Sequence, residues 1–133
     1  MVKFGSGFSA ASSAVVAVEE AVARAAEALG DAEPKLAIVF ASVSYGDLAS
    51  ALRALRQPLG SVPTVGGTSG ACVFGEGRCA ERGVSVVLLG GDGLEVEVRT
   101  APLDSTSVGE AVPAGLEIAA AADAAARRGF PPD

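Results

Sequence analysis

Apolar side chains recur along this chain in two rhythms, and the alternation between them sets the expected fold. Val15, Val18, Val22 and Leu29 fall on one helical face, and Leu48, Leu52, Leu55 and Leu59 form a second stripe of the same kind. Around them lie short apolar runs. Residues 36–41 form one, bounded by Pro34 and Ser42, and residues 84–89 form another; unbroken runs of this length read as buried strands. With residues 2–4 as a short first strand and residues 62–65 as the start of a third, the order is β-α-β-α-β. That order predicts right-handed crossovers and a parallel core.

Local signals place the ends of these elements. Ser9 is the expected N-cap of the first helix and Gly30 its stop; Asp47 caps the second helix and Pro58 ends it. Glu20 and Arg24 stand four apart as a supporting pair on the outer face. The pattern then changes. Residues 73–74, a turn at residues 75–77 and residues 78–79 read as a hairpin. Residues 90–93, Gly-Gly-Asp-Gly, are a strong turn signal. Leu94, Val96 and Val98 alternate with Glu95, Glu97 and Arg99, as in an outer strand with one wet face. An Ala-rich helix follows, starting at Pro113 and ending with Arg127, Arg128, Gly129 and Pro131. The expected fold is α/β over residues 1–133 as one domain. Its sheet is mixed, with a parallel start and an antiparallel portion at one side, flanked by about three helices.

Composition narrows the function. Half of the 133 residues are hydrophobic, so a core forms without disulfides or metal. The formal charge of −6, with no basic cluster, argues against nucleic acid. Two cysteines, Cys72 and Cys79, and no histidine leave too few ligands for a zinc site. No metal and no cofactor are expected, and the cysteines read as free thiols. Ser12 and Ser13 interrupt the apolar stretch behind Lys3, and acidic residues follow, which argues against a secretory signal. No window reaches the length of a membrane span. A cytoplasmic protein without a membrane partner is the expectation.

Three segments rich in glycine and hydroxyl groups carry the candidate chemistry, each at the end of an expected strand. Ligands of open α/β sheets bind beyond the carboxyl ends of the strands. FGSGFS, residues 4–9, offers Ser6 and Ser9 ahead of a helix. Its favoured reading is a tight turn with a cap; the alternative is an anion site on backbone N–H groups. ASVSY, residues 41–45, offers Ser42, Ser44 and Tyr45, either to a ligand or as caps. VGGTSG, residues 65–70, is the stronger signal. Gly66, Gly67 and Gly70 permit close backbone approach, and Thr68 and Ser69 add hydroxyls without bulk. It is neither a Walker A loop nor a nucleophile elbow. Serine and cysteine nucleophiles lack the usual histidine base, and Asp47, Asp92 and Asp104 read as turn and cap residues, so no catalytic residue is assigned.

In this order, FGSGFS, KLAIVFAS, the leucine helix, VPTVGGTSG, GVSVVLLGGD and a late Ala-rich helix near PAG resemble the N-terminal part of a FIST domain. The resemblance runs from Val2 to about Arg128. It implies a sensory module of signal transduction that binds a small ligand such as an amino acid. Some members of that family hold haem through a histidine; this chain has none, so no haem is expected. Family members usually continue through further α/β structure, which implies that a partner copy or a partner signalling protein covers this portion. The reading is therefore a domain that binds a small polar or anionic metabolite at Ser6, Ser9, Ser42, Ser44, Tyr45, Gly66, Gly67, Thr68, Ser69 and Gly70. A non-catalytic structural or oligomerisation module comes second, and an α/β enzyme third. The three segments are expected to converge at one end of the sheet. A homodimer is expected through the Ala-rich helix and the outer strand at Leu94, Val96 and Val98.

Overall fold

A computed structural model describes residues 1–100 together with Ala120 and Ala124. The chain divides into two compact units, Met1–Val96 and Glu97–Asp133. In the second unit, residues 97–100 are irregular, and Ala120 and Ala124 are helical and exposed. The expected helix start at Pro113 and its end at Arg127 and Arg128 lie outside the described residues, as does most of its alanine surface.

The first unit is a mixed α/β structure. Strand β1 (Lys3–Ser9) is followed by helix α1 (Ala14–Leu29), strand β2 (Pro34–Ser42), a single 3-10 turn (Val43–Tyr45), helix α2 (Leu48–Leu59) and strand β3 (Thr64–Ser69). Strands β4 (Val73–Gly75), β5 (Arg78–Ala80) and β6 (Val84–Gly90) complete it. The main sheet has the order β1-β6-β2-β3. β2 and β3 are parallel, and β6 is antiparallel to both of its neighbours.

This order corrects the expected parallel core. β1, β2 and β3 do run the same way, but β6 enters between β1 and β2, so the antiparallel portion is central and not at one side. The composition of β6 explains its place. Val84, Val86 and Leu88 are buried among residues of α1 and α2, while Val87 and Leu89 alternate onto the opposite face. A strand that is apolar on both faces belongs in the middle of a sheet, whichever way it runs.

FGSGFS is strand and not loop. Its residues alternate with the period of two that strands require. Gly5 and Gly7 face α1, while Phe4, Ser6 and Phe8 share the other face with Leu89, Val87 and Ser85, their cross-strand partners. The glycines let helix and strand backbones touch. A Cβ on Gly5 would stand 2.1 Å from the Ala25 carbonyl oxygen, and one on Gly7 would stand 2.0 Å from that of Ala21.

Both helices pack on one face of the sheet. α1 buries Ala17, Val18, Ala21, Val22, Ala25 and Leu29. Its N-cap is Ser13 and not Ser9, because β1 continues through Ser9; Gly30 ends the helix as expected. Asp47 caps α2 and accepts from the Ser50 amide; hydrogen bonding with the Ser50 side chain, and then with its amide, holds the carboxyl below the usual carboxylate range. Pro58 stays inside the last turn of α2, which closes at Leu59. The buried stripe of α2 is Ala51, Leu55 and Leu59, and Leu52 is turned outward at 60% exposure.

The opposite face is covered at one end by the β4–β5 hairpin. Its turn carries positive φ at both Glu76 (53°) and Gly77 (71°), as a two-residue type I′ hairpin demands. Gly75 and Gly83 lie against Phe8, which is 1% exposed, and the Arg78 guanidinium stands 5.4 Å from its ring centre. Leu94, Val96 and Val98 keep their alternation in exposure, yet no strand forms there: no described strand pairs with them.

Replacing Gly7 by Val drives a branched side chain into the α1 backbone. We expect a loss of at least about 1–3 kcal/mol, read as a lower midpoint in urea unfolding, with a smaller loss for the exposed Gly70→Ala.

Candidate functional site

The register brings the three candidate segments to one end of the sheet. Ser9 is level with Val84, Val84 with Ala41, and Ala41 with Thr68; Ser42 is level with Ser69. The segments are the last residues of β1, β2 and β3 more than loops beyond them. Ser6 lies farther down β1, half-buried on the sheet face away from the helices.

At the β1–β6–β2 end, the hydroxyls are already engaged. Ser9 is 2% exposed; its Oγ donates to Glu20 Oε2 at 2.6 Å and accepts from the Ala11 amide at 3.2 Å. Arg24 donates to the Phe8 carbonyl at 2.6 Å. Glu20 and Arg24 therefore turn to β1 and do not form the expected pair along the helix. The reason is proximity: where the glycines draw β1 against α1, the end of β1 comes within reach of both side chains. Ser42 is 1% exposed, donates to the Glu81 carbonyl at 2.6 Å and accepts from the Ser44 amide at 3.2 Å. The Ser42 and Ser44 hydroxyls share a further bond of 2.7 Å. Tyr45 donates to the Ala11 carbonyl at 2.7 Å, beneath the Arg82 guanidinium at 5.8 Å from its ring centre. Burial raises the Tyr45 phenol above its ordinary value, Arg82 pulls it down and Glu20 pushes it up, so it remains a proton donor at neutral pH. Together these bonds tie the start of α1, the end of β2 and the segment ahead of β6 into one polar knot.

The β3 end is different. β3 is the end strand, with β2 as its single strand neighbour among the described residues. Gly66, Gly67 and Thr68 are exposed along it. They line a groove of about 290 Å³ between β3 and α2. Its walls are Leu48, Ala51, Leu52 and Leu55 of α2, with Val39 and Ala41 of β2 at its floor. Ser69 and Gly70 lie just past it; the Ser69 hydroxyl donates to the Cys72 carbonyl at 2.7 Å and ties β3 to the approach of β4.

Sequence reasoning named Gly66, Gly67 and Thr68 but missed the α2 wall. The signal was the width of the leucine stripe: Leu48, Leu52 and Leu55 with Ala51 cover more of the helix than one core face can bury. Arg24 and Arg82, which brace the polar knot, had no signal, since their partners are backbone carbonyls. Among the described residues, no group of three or more His, Cys, Asp or Glu side chains could hold a metal ion, and no helix is long and apolar enough to cross a membrane.

Compared with known proteins, the chain matches the family model of the FIST N domain over residues 35–130. The match begins in β2, so β1 and α1 precede it. No curated protein matches the chain.

Removing the Ser42 hydroxyl deprives the Glu81 carbonyl and the Ser44 amide of a partner. Ser42→Ala is expected to cost about 1–3 kcal/mol in chemical denaturation, whereas Ser61→Ala, at an exposed position after α2, stays within about 0.5 kcal/mol.

Proposed function

The chain belongs to the FIST N domain family, a family of sensory domains in signal transduction, and from that premise we propose that it binds a small metabolite in the groove between α2 and β3. The observation that carries this reading is the lining of the groove. Two adjacent glycines and a threonine of an end strand stand opposite an exposed leucine of α2. Apolar walls beside backbone polar groups that have no strand neighbour on one side among the described residues suit a ligand with one polar and one apolar end. A volume of about 290 Å³ suits a ligand of amino-acid size. In this reading the polar end pairs with the β3 backbone and the Thr68 hydroxyl, and the apolar end rests on Leu48, Leu52 and Leu55. Ser9, Ser42, Ser44 and Tyr45 act indirectly by fixing the end of the sheet that carries the groove. Ligand binding draws α2 and β3 together and shifts the population of states that a partner signalling protein reads. No catalytic step is part of the proposal.

The experiment is a thermal-shift screen of free amino acids and related small carboxylates against the purified chain. At a concentration about 100 times its Kd, a ligand adds about 2.7 kcal/mol, a rise of about 10 °C for a domain near this size. Leu52→Glu, which places a charge in the groove at an exposed position, is expected to abolish that rise while leaving the unliganded Tm within about 2 °C. A rise that survives Leu52→Glu unchanged places the ligand elsewhere, and a library without any hit removes the reading.

One observation favours assembly as a second reading. Phe4 is 73% exposed and Phe40 50% exposed, and both lie on the sheet face away from the helices. Apolar side chains of this size in contact with water favour association. On this reading the chain forms a homodimer across that face. Sedimentation equilibrium at micromolar concentration would give twice the chain mass and, for Phe40→Glu, the monomer mass; a monomer for the unaltered chain ends it.

A further inference from the structure

The β4–β5 hairpin carries both cysteines of the chain, and neither has a part in the groove or in the core. Cys79 lies on β5 directly across from Phe74, and Cys72 stands two residues before Phe74, just ahead of the Val73–Ala80 pair. Residues two apart on a strand share a face, so Cys72 and Cys79 are diagonal neighbours on one side of the hairpin. Both are exposed and both are free thiols. The two thiols are near enough to act on one another: hydrogen bonding with the Cys72 thiol is the chief cause that raises the Cys79 thiol above its ordinary value.

We propose that Cys72 and Cys79 are a reversible dithiol–disulfide site that closes across the hairpin when the chain meets a disulfide oxidant such as glutathione disulfide. Three features suit the pair to this chemistry. The two-residue turn at Glu76 and Gly77 fixes the strand register and so keeps the cysteines as mutual neighbours. Cys72 lies outside the paired ladder, so its backbone can close the remaining distance without breaking a strand pair. Exposure leaves both sulfurs open to a soluble oxidant.

The step balances in two exchanges. One cysteine, as thiolate, attacks a sulfur of glutathione disulfide; a protein–glutathione bond forms and one glutathione leaves. The second cysteine, as thiolate, attacks the protein sulfur of that mixed disulfide; the Cys72–Cys79 bond forms and a second glutathione leaves. The two cysteines are oxidised, one glutathione disulfide is reduced, and the two thiol protons end on the released glutathiones. A raised Cys79 thiol is mostly protonated at neutral pH, so the reaction runs faster as pH rises.

Closure has a structural reach beyond the hairpin. Cys72 accepts through its carbonyl from the Ser69 hydroxyl, and Ser69 ends β3. Fixing Cys72 to β5 therefore holds the end of β3 against the hairpin. The proposal does not depend on ligand binding in the groove.

The test uses the full chain, fully reduced and desalted, then exposed to glutathione disulfide at pH 7 and pH 9. The expected product is a monomer that has lost both titratable thiols, is lighter by about 2 Da, and yields a Cys72–Cys79 cross-linked peptide under non-reducing digestion. Formation is faster at pH 9, and reduced glutathione in excess reverses it. Cys72→Ser and Cys79→Ser each keep one bound glutathione, because no second thiol is present to displace it. An unaltered chain that retains glutathione on both cysteines, keeps both thiols free, or cross-links only between chains overturns the proposal.

Discussion

The near-contact of the β1 and α1 backbones governs this fold. Helices usually stand off a sheet by the thickness of two layers of side chains. Here the layer is missing at Gly5 and Gly7, and a single added carbon at either position would overlap a carbonyl oxygen of α1. The helix answers with its own smallest side chains, Ala17, Ala21 and Ala25, each fully buried. Close packing of small residues forgoes the area that large ones would bury, and the compensation is many dispersion contacts at short range together with polar ties that only proximity allows. Glu20 reaches Ser9, and Arg24 reaches the Phe8 carbonyl. The abundance of alanine and glycine in the chain is thus one physical arrangement and not merely a compositional bias.

That arrangement explains what could be read beforehand and what could not. β2, β6, the hairpin, the Asp47 cap and the Gly30 stop each announce themselves through a single local cue, and each forms. The strand FGSGFS was hidden because glycine and serine usually mark turns, while its period of two becomes visible only when glycine is counted as a side chain facing a helix. The placement of β6 was hidden for a different reason. A continuous apolar run tells that a strand is buried on both faces, but not which neighbours bury it or in which direction it runs. Leu94, Val96 and Val98 show the reverse error: alternation is needed for a half-wet strand but does not create one by itself, and among the described residues no strand neighbour completes its backbone bonds.

The candidate site was legible in part for the same reason. Glycine-rich segments at strand ends drew attention to one end of the sheet, and Ser9, Ser42 and Ser69 do arrive there together. Sequence cannot tell a hydroxyl awaiting a ligand from one consumed by a neighbouring carbonyl, and the partners of Ser42 come from Glu81, far along the chain. Burial separates the cases. At about 1–2% exposure, Ser9 and Ser42 would be costly without internal partners, and both have them. Gly66, Gly67 and Thr68 are exposed and keep an outer edge without a strand neighbour among the described residues.

The same contrast separates the two sides of α2. One side, Ala51, Leu55 and Leu59, is committed to the core, and the Asp47 cap with the closing bond from the Gly60 amide to Arg56 fixes both ends of the helix. The other side presents Leu52 to the groove. A helix held by its core face and by both caps cannot rotate to hide that leucine without giving up the buried stripe, so the exposed apolar surface persists as a consequence of the fold. Because Ala51 and Leu55 belong both to the groove lining and to the buried stripe of α2, anything that fills the groove touches the packing of α2. In the proposed reading, occupancy at the edge of the sheet would act on the helix layer by contact alone, without a separate pathway through the core.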